Sequence, residues 1–287
     1  MKSIAAADFD LKKTLNCGQV FHWQQCGDGF AGAIGAKGTY LEQREDRLFY
    51  AGPTAKEIAH YLALDHPLAE ICGSFPRDPA MAAANAFCHG LRIIRQPKWE
   101  CLATFICSSM KQVAHIRQIS LGLRKRFGTR TVTGVTEVYA FPNAARLAES
   151  SEAELRECGL GYRAKNLLAT AKMVANGDAN LDAWQNLADD EMRARLCELP
   201  GVGVKVANCV MLFAYERLRA FPVDVWIERV LREQYFPRKR KVSARQLREF
   251  CDNYFGEHGG YAQQYLFHHA RTGRRRRTNQ EQCPAGC

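Results

Sequence analysis

The sequence predicts an α+β protein: a small antiparallel β-sheet unit at the amino terminus, then a large all-helical body carrying a tight helical hairpin. Three features predict it. Through residues 1–50, apolar and polar residues alternate, the period of half-buried strands. From about residue 55 the apolar residues recur every three or four positions, which is the helical period. Pro200-Gly201-Val202-Gly203 then ends one helical pattern just before Val204 starts another.

In order, VFHWQQ, GFAGAIG, GTYLEQRE and DRLFYAG are strand candidates separated by Gly and Asp turns. Helical spacing follows at 55–72, 78–95, 98–125, 134–150, 152–176, 180–197, 204–218, 224–235, 243–255 and 260–271. FPRDP, RQPKW, FPNA and LPGVG break the pattern between segments. No internal repeat is evident. The last stretch, RTGRRRRTNQEQCPAGC, is polar, basic and aperiodic, so disorder is expected there. The expected division is 1–90 for the sheet and its helices, 91–271 for the helical body, and 272–287 for the tail.

A chain of 287 residues can bury a sizeable core. Its net charge of +10 and pI near 9.1 suit a partner with a phosphate backbone, although a basic enzyme of another kind has the same balance. No run of eighteen apolar residues exists, so no membrane span is expected. The start, MKSIAAADFD, lacks the apolar core of a signal peptide, so secretion is not expected. Twelve cysteines sit singly, mostly in apolar helical patterns, as buried thiols do in a cytosolic or nuclear protein. Only Cys283 and Cys287 fall in the final segment, without the spacing of a four-cysteine iron–sulfur loop. No such cluster and no required cofactor are expected.

The chemistry concentrates in CELPGVGVKVANCVMLFAYERLRAFPVDVWIER, residues 197–229. Glycines at 201 and 203 allow positive φ and close backbone approach. A turn that opens a helix offers unpaired N–H groups and a dipole suited to phosphate. Lys205 lies in the first turn of that helix, where the dipole disfavours an ammonium, the setting of an amine nucleophile. Asp224 precedes VWIERVL and is also a natural helix cap. Taken singly, these features fit an ordinary helical connection, a solvated lysine and a cap.

Together, LPGVGVK and VDVW resemble the helix-hairpin-helix and Gly/Pro/Asp loop of the base-excision DNA glycosylases. VKVANC with PVDV is most similar to the 8-oxoguanine DNA glycosylase/abasic-site lyase branch. NCGQVFHW (16–23), ALDHPLAEI (63–71), RIIRQPKWECLATFICSS (92–109), GLGYRAK (159–165) and GYAQQYLF (260–267) match further landmarks in family order. The resemblance implies that Lys205 is a Schiff-base nucleophile and that Asp224 assists at the sugar. It implies that Cys209 and Phe267 sandwich an extruded base, that Gln263 reads its edge, and that the Gly18 carbonyl accepts the N7 hydrogen peculiar to 8-oxoguanine. It places the final helix, 260–271, as the closing wall of the base pocket. Read without it, Cys209 and Phe267 are core, Gln263 is surface and Gly18 is a strand-end turn.

Extruding a base leaves a gap. By the resemblance, Tyr162 wedges beside the orphaned partner and Arg163 bonds to it. Here the chain departs from the family. Met110, Lys111 and Gln112 follow FICSS where three asparagines are usual, and His115 stands at an arginine position. Met110 suits an apolar wedge but cannot hydrogen-bond cytosine, so selectivity opposite the lesion is expected to relax. Trp226 replaces a phosphate-binding histidine. Gly201, Gly203 and Val206 are the expected phosphate-binding amides, and the carbonyls of Cys197, Leu199 and Val202 the expected seat of a monovalent cation. The function implied is excision of 8-oxoguanine from double-stranded DNA followed by β-elimination, by a monomer in the nucleoid-containing cytoplasm or in a nucleus. A glycosylase for another damaged base and a non-catalytic damage-binding module are the alternatives.

Overall fold

The structure, a computed structural model, describes residues 1–108, 111–238 and 241–281. Its amino-terminal unit is a five-stranded antiparallel sheet: β1 (Lys2–Ala5), β2 (Gln24–Cys26), β3 (Gly29–Ile34), β4 (Lys37–Arg44) and β5 (Arg47–Ala51), in the order β1-β5-β4-β3-β2. Register is set by pairs such as Phe30 with Leu41 and Leu41 with Tyr50. The GFAGAI of β3 is buried almost throughout, so both faces of that strand are covered. Phe30, Leu41 and Leu48 pack on one face with Leu11, Leu15 and Ile58. Ala31 and Ala33 pack on the other with Val138 and Ala140. Those two belong to a second hairpin, β6 (Arg130–Val132) with β7 (Glu137–Tyr139), and its flank.

Several elements differ from the sequence expectation. β1 and the helix Leu11–Asn16 come from residues with no visible period. In VFHWQQ only Gln24 and Gln25 are strand; Val20, Phe21, His22 and Trp23 are buried on irregular backbone. The stretch 134–150 holds β7 and a single helix, Ala144–Ala148, capped by Asn143. Short elements held by tertiary partners show too few repeats to declare a period.

The helical body is arranged about Lys98–Cys107, buried continuously from Glu100 to Cys107. Phe105 of that helix stacks on Phe213 with 5.5 Å between ring centroids, which ties it to the helix Val204–Ala214. The last helix, Gly259–Glu281, runs past the expected end at 271; residues 282–287, including Cys283 and Cys287, lie outside the described residues. Tyr261, Ala262 and Tyr265 on it are fully buried. It returns to the amino-terminal half through Tyr265 Oη, which donates to the Leu91 carbonyl at 2.9 Å.

The two halves also meet at a buried polar cluster. Arg124 and Glu100 form an ion pair, His22 Nδ1 lies 3.3 Å from Glu100, and His22 Nε2 is 2.9 Å from the Ala33 carbonyl. Burial, reinforced by the Arg124 charge, holds His22 well below the usual histidine range and so neutral. Cys17, Cys88, Cys101, Cys107, Cys209 and Cys251 are buried free thiols. No helix among the described residues is long and apolar enough to cross a membrane.

Candidate active site

The helices Asp189–Cys197 and Val204–Ala214 flank the hairpin. Val202 N–H donates to the Leu199 carbonyl at 3.1 Å, and Thr170 Oγ1 donates to that of Pro200 at 3.0 Å. Gly201 has φ +81°, and a Cβ there would lie 2.9 Å from Asn166 Cβ, so this position requires glycine on two counts. Gly203 does not share the need. Its φ is −99°, ordinary extended backbone, and a Cβ there would meet no atom within 4 Å. Its value is open space at the helix start. The Val206 side chain is buried at 4% exposure, leaving its first-turn amide as the group the hairpin can offer.

Behind the hairpin, a cavity of about 40 Å³ is lined by Gly18, Lys205, Cys209, Asp224, Gln263 and Phe267, together with Phe105, Phe213, Pro222 and Gln264. All six base and catalytic residues expected around one site therefore share one cavity. Lys205, Cys209 and Phe213 reach it because they are spaced by four on one helix face. Gln263 and Phe267 do so on the last helix. Lys205 Nζ lies 3.5 Å from Ser108 Oγ and 5.2 Å from the Phe105 ring centroid. Ser108 is itself held by donating to the Phe105 carbonyl at 2.7 Å.

Asp224 caps the helix Val225–Val230: its Oδ1 accepts from the amides of Trp226 at 3.0 Å and Ile227 at 2.9 Å. Burial raises its pKa above the ordinary aspartate value, opposed by the Ile227 amide and the Lys205 charge. Burial likewise pushes the Cys209 thiol up to about 11, so this wall is a neutral, polarizable surface. Gln263 is 4% exposed, and its Oε1 finds no hydrogen-bond partner among the described residues. Leaving a buried acceptor unmatched costs about 1–3 kcal/mol, a cost a ligand can relieve.

Gly18 follows the helix Leu11–Asn16, not a strand as its local sequence suggests. Its φ is +92°, and a Cβ there would lie 3.1 Å from Phe267 Cε1. Only glycine lets the chain pass this close to the ring.

The gap-filling candidates stand apart from the cavity. Tyr162 heads the helix Arg163–Asn176 and is 60% exposed. Arg163 is buried, its Cζ 4.3 Å from the Tyr162 ring centroid and its Nη1 donating to the Leu160 carbonyl at 3.2 Å. His115 is exposed near the start of Val113–Phe127. Met110 lies outside the described residues. Trp226 is half-buried, with Arg229 Cζ 5.7 Å from its ring centroid.

Sequence reading missed Phe105, Phe213, Pro222 and Gln264. Phe213 was findable, since it continues the four-residue spacing from Lys205 through Cys209. Gln264 was not, because a helical glutamine beside Gln263 carries no signal of its own. A much larger cavity, about 900 Å³, lies elsewhere, against Lys37, Trp99, Asp182 and Glu216. Three of its cations are already paired: Lys37 with Glu57, Lys98 with Asp182 and Arg95 with Asp65 and Glu216.

A lysine and an aspartate line one small cavity next to a helix-turn-helix hairpin, the arrangement expected of a helix-hairpin-helix glycosylase. Residues 3–102 match the family model described as 8-oxoguanine DNA glycosylase, N-terminal domain, and residues 103–253 that of the HhH-GPD superfamily base excision DNA repair protein. The chain belongs to the HhH-GPD superfamily, in its 8-oxoguanine DNA glycosylase branch. It is 32% identical to the N-glycosylase/DNA lyase OGG1 of Arabidopsis thaliana, over 91% of this chain and 77% of that one. It is 27% identical to a probable N-glycosylase/DNA lyase of Methanothermobacter thermautotrophicus, over 93% and 95%. Among solved structures it is similar to the Clostridium acetobutylicum 8-oxoguanine glycosylase/lyase bound to double-stranded DNA with cytosine opposite 8-oxoG. That match has a TM-score of 0.88 and 30% identity, and covers 96% of this chain and 99% of that one.

Proposed function

We propose that this protein excises 8-oxoguanine from duplex DNA and then cleaves the strand as a bifunctional glycosylase and abasic-site lyase. The observation that carries it is the meeting of Lys205 and Asp224 with Gly18, Cys209, Gln263 and Phe267 at one cavity. The relatives named as N-glycosylase/DNA lyases support both activities.

The phosphate backbone binds first, through the amides of Gly201, Gly203 and Val206 and the indole N–H of Trp226, in a salt-dependent way. Tyr162 and Met110 fill the stack as the lesion leaves it, with Arg163 and His115 facing the orphaned base. At about 40 Å³ the cavity has room for a few waters and not for a purine, so base entry moves the Phe267 ring off Gly18. The base then lies between Cys209 and Phe267, with Gln263 at its edge. Its N7–H donates to the Gly18 carbonyl, a bond that guanine cannot make.

The Lys205 amine attacks C1′ as the bond to N9 breaks, and the base departs with that electron pair and takes up the proton the amine gives up. The Asp224 carboxylate stabilises the cationic sugar. Ring opening gives the iminium; loss of a C2′ proton expels the 3′ phosphate, and water frees Lys205. The proposal includes a monovalent cation on the carbonyls of Cys197, Leu199 and Val202. That donor set suits a hard cation, although the Leu199 carbonyl already accepts from Val202. Buried free thiols fit a DNA-containing compartment that keeps cysteines reduced.

Release of free 8-oxoguanine, with a nick at the same site, is expected on a duplex carrying the lesion opposite cytosine, and none on undamaged DNA. Binding without release would leave only the damage-binding reading. Because Met110 cannot bond to cytosine as an amide would, excision opposite C, A, G and T is expected to vary little. A strong preference for C would overturn that part.

A further inference from the structure

Arg271 belongs to no step above, yet it holds both sides of the pocket's mouth. Its Nη2 donates to the Asn16 carbonyl at 2.6 Å, and its Cζ lies 5.5 Å from the Phe267 ring centroid. Asn16 is fixed a second time, by Arg117 Nη2 donating to its Oδ1 at 2.6 Å. Gln264 Nε2 donates to the next carbonyl, that of Cys17, at 3.1 Å. The wall 16–18 is therefore pinned at Asn16 and Cys17, immediately before Gly18, by two side chains of the last helix.

The spacing explains the arrangement. Gln263, Phe267 and Arg271 succeed one another by four residues and share one helix face. Phe267 lines the cavity and Arg271 does not, so the ring stands between the guanidinium and the space a base would enter. One ring face carries the cation, which the ring quadrupole attracts, and the base can take only the other. The same guanidinium, through Asn16, fixes how far Gly18 lies from that ring.

We propose that Arg271 is a positioning residue that sets the separation between the Phe267 plate and the Gly18 wall. It thereby controls capture and discrimination of the damaged base, without touching the reaction at C1′. The inference rests on the proposed excision of 8-oxoguanine. A preformed abasic site has no base to hold, so its cleavage needs Lys205 but not the plate.

The test is Arg271→Ala and Arg271→Lys, each measured in single turnover on two duplexes, one with 8-oxoguanine opposite cytosine and one with an abasic site. Loss of the cation–ring contact and the charged hydrogen bond is expected to slow base release by about tenfold or more. Abasic-site cleavage should stay at the wild-type rate. Arg271→Lys keeps a cation and one donor and should recover part of the loss. Equal slowing on both duplexes would show a general structural role and overturn the inference, as would unchanged base release in Arg271→Ala. Wild-type protein that cleaves abasic DNA but releases no 8-oxoguanine would instead overturn the substrate reading on which this rests.

Discussion

Gln263 and Asp224 each hold a polar group in a place that folding alone would avoid. The Gln263 acceptor is buried and unmatched. Gln263→Leu, of similar size, should raise stability by about 1–3 kcal/mol while impairing base release; paired thermal denaturation and excision assays check both. Asp224 makes the parallel case. Its folded pKa is raised, so its contribution to stability is full below the unfolded value and is lost as pH rises through the folded one. Asparagine caps a helix as well as aspartate. Asp224→Asn should therefore fold normally, be no less stable at neutral pH, and lose about a hundredfold or more in base release. The proposed mechanism uses the Asp224 carboxylate, so the acid limb of the wild-type rate profile should lie above the ordinary aspartate value of 3.8. The asparagine variant should lack that limb.

Within the hairpin, two glycines that look alike in sequence do different work. Gly201→Ala strains a positive φ and drives a methyl into Asn166, so it should cost about 1–3 kcal/mol of stability as well as DNA affinity. Gly203→Ala meets nothing in the free protein; it should leave the melting temperature unchanged and weaken DNA binding alone. Chemical denaturation alongside a salt-series binding titration separates them. The hairpin was legible because Pro and Gly punctuate two strong helical periods. β1, the helix Leu11–Asn16 and the strands β6 and β7 were not, because each spans only three to six residues and is defined by what packs on it. Gly18 illustrates the same limit: its motif marked it as important, but only the ring 3.1 Å from a would-be Cβ explains why it is glycine.

Across the whole molecule, the sheet unit and the helical body are locked by groups distant in sequence. Glu100→Gln leaves Arg124 buried without its counter-charge, which should cost about 3–5 kcal/mol and be visible in urea denaturation. His22 is held neutral, its folded pKa lowered from 6.5. That contribution is present above pH 6.5 and is lost as pH falls toward the folded value, so wild-type protein should lose more stability than His22→Gln between neutral and mildly acidic pH. None of this cluster was legible in sequence, since burial and pairing arise only when residues 22, 100 and 124 meet. Both walls were legible only by resemblance: Lys205, Cys209 and Asp224 fall in one short motif, whereas the opposing wall is assembled from residue 18 and the helix that begins at Gly259. The proposed reaction turns on the amine at the junction of those walls. Borohydride trapping on a duplex with 8-oxoguanine opposite cytosine, using wild type and Lys205→Gln, tests it most directly. A covalent protein–DNA complex with wild type alone is the predicted result; an equal yield with Lys205→Gln, or base release by wild type with no complex, would contradict it.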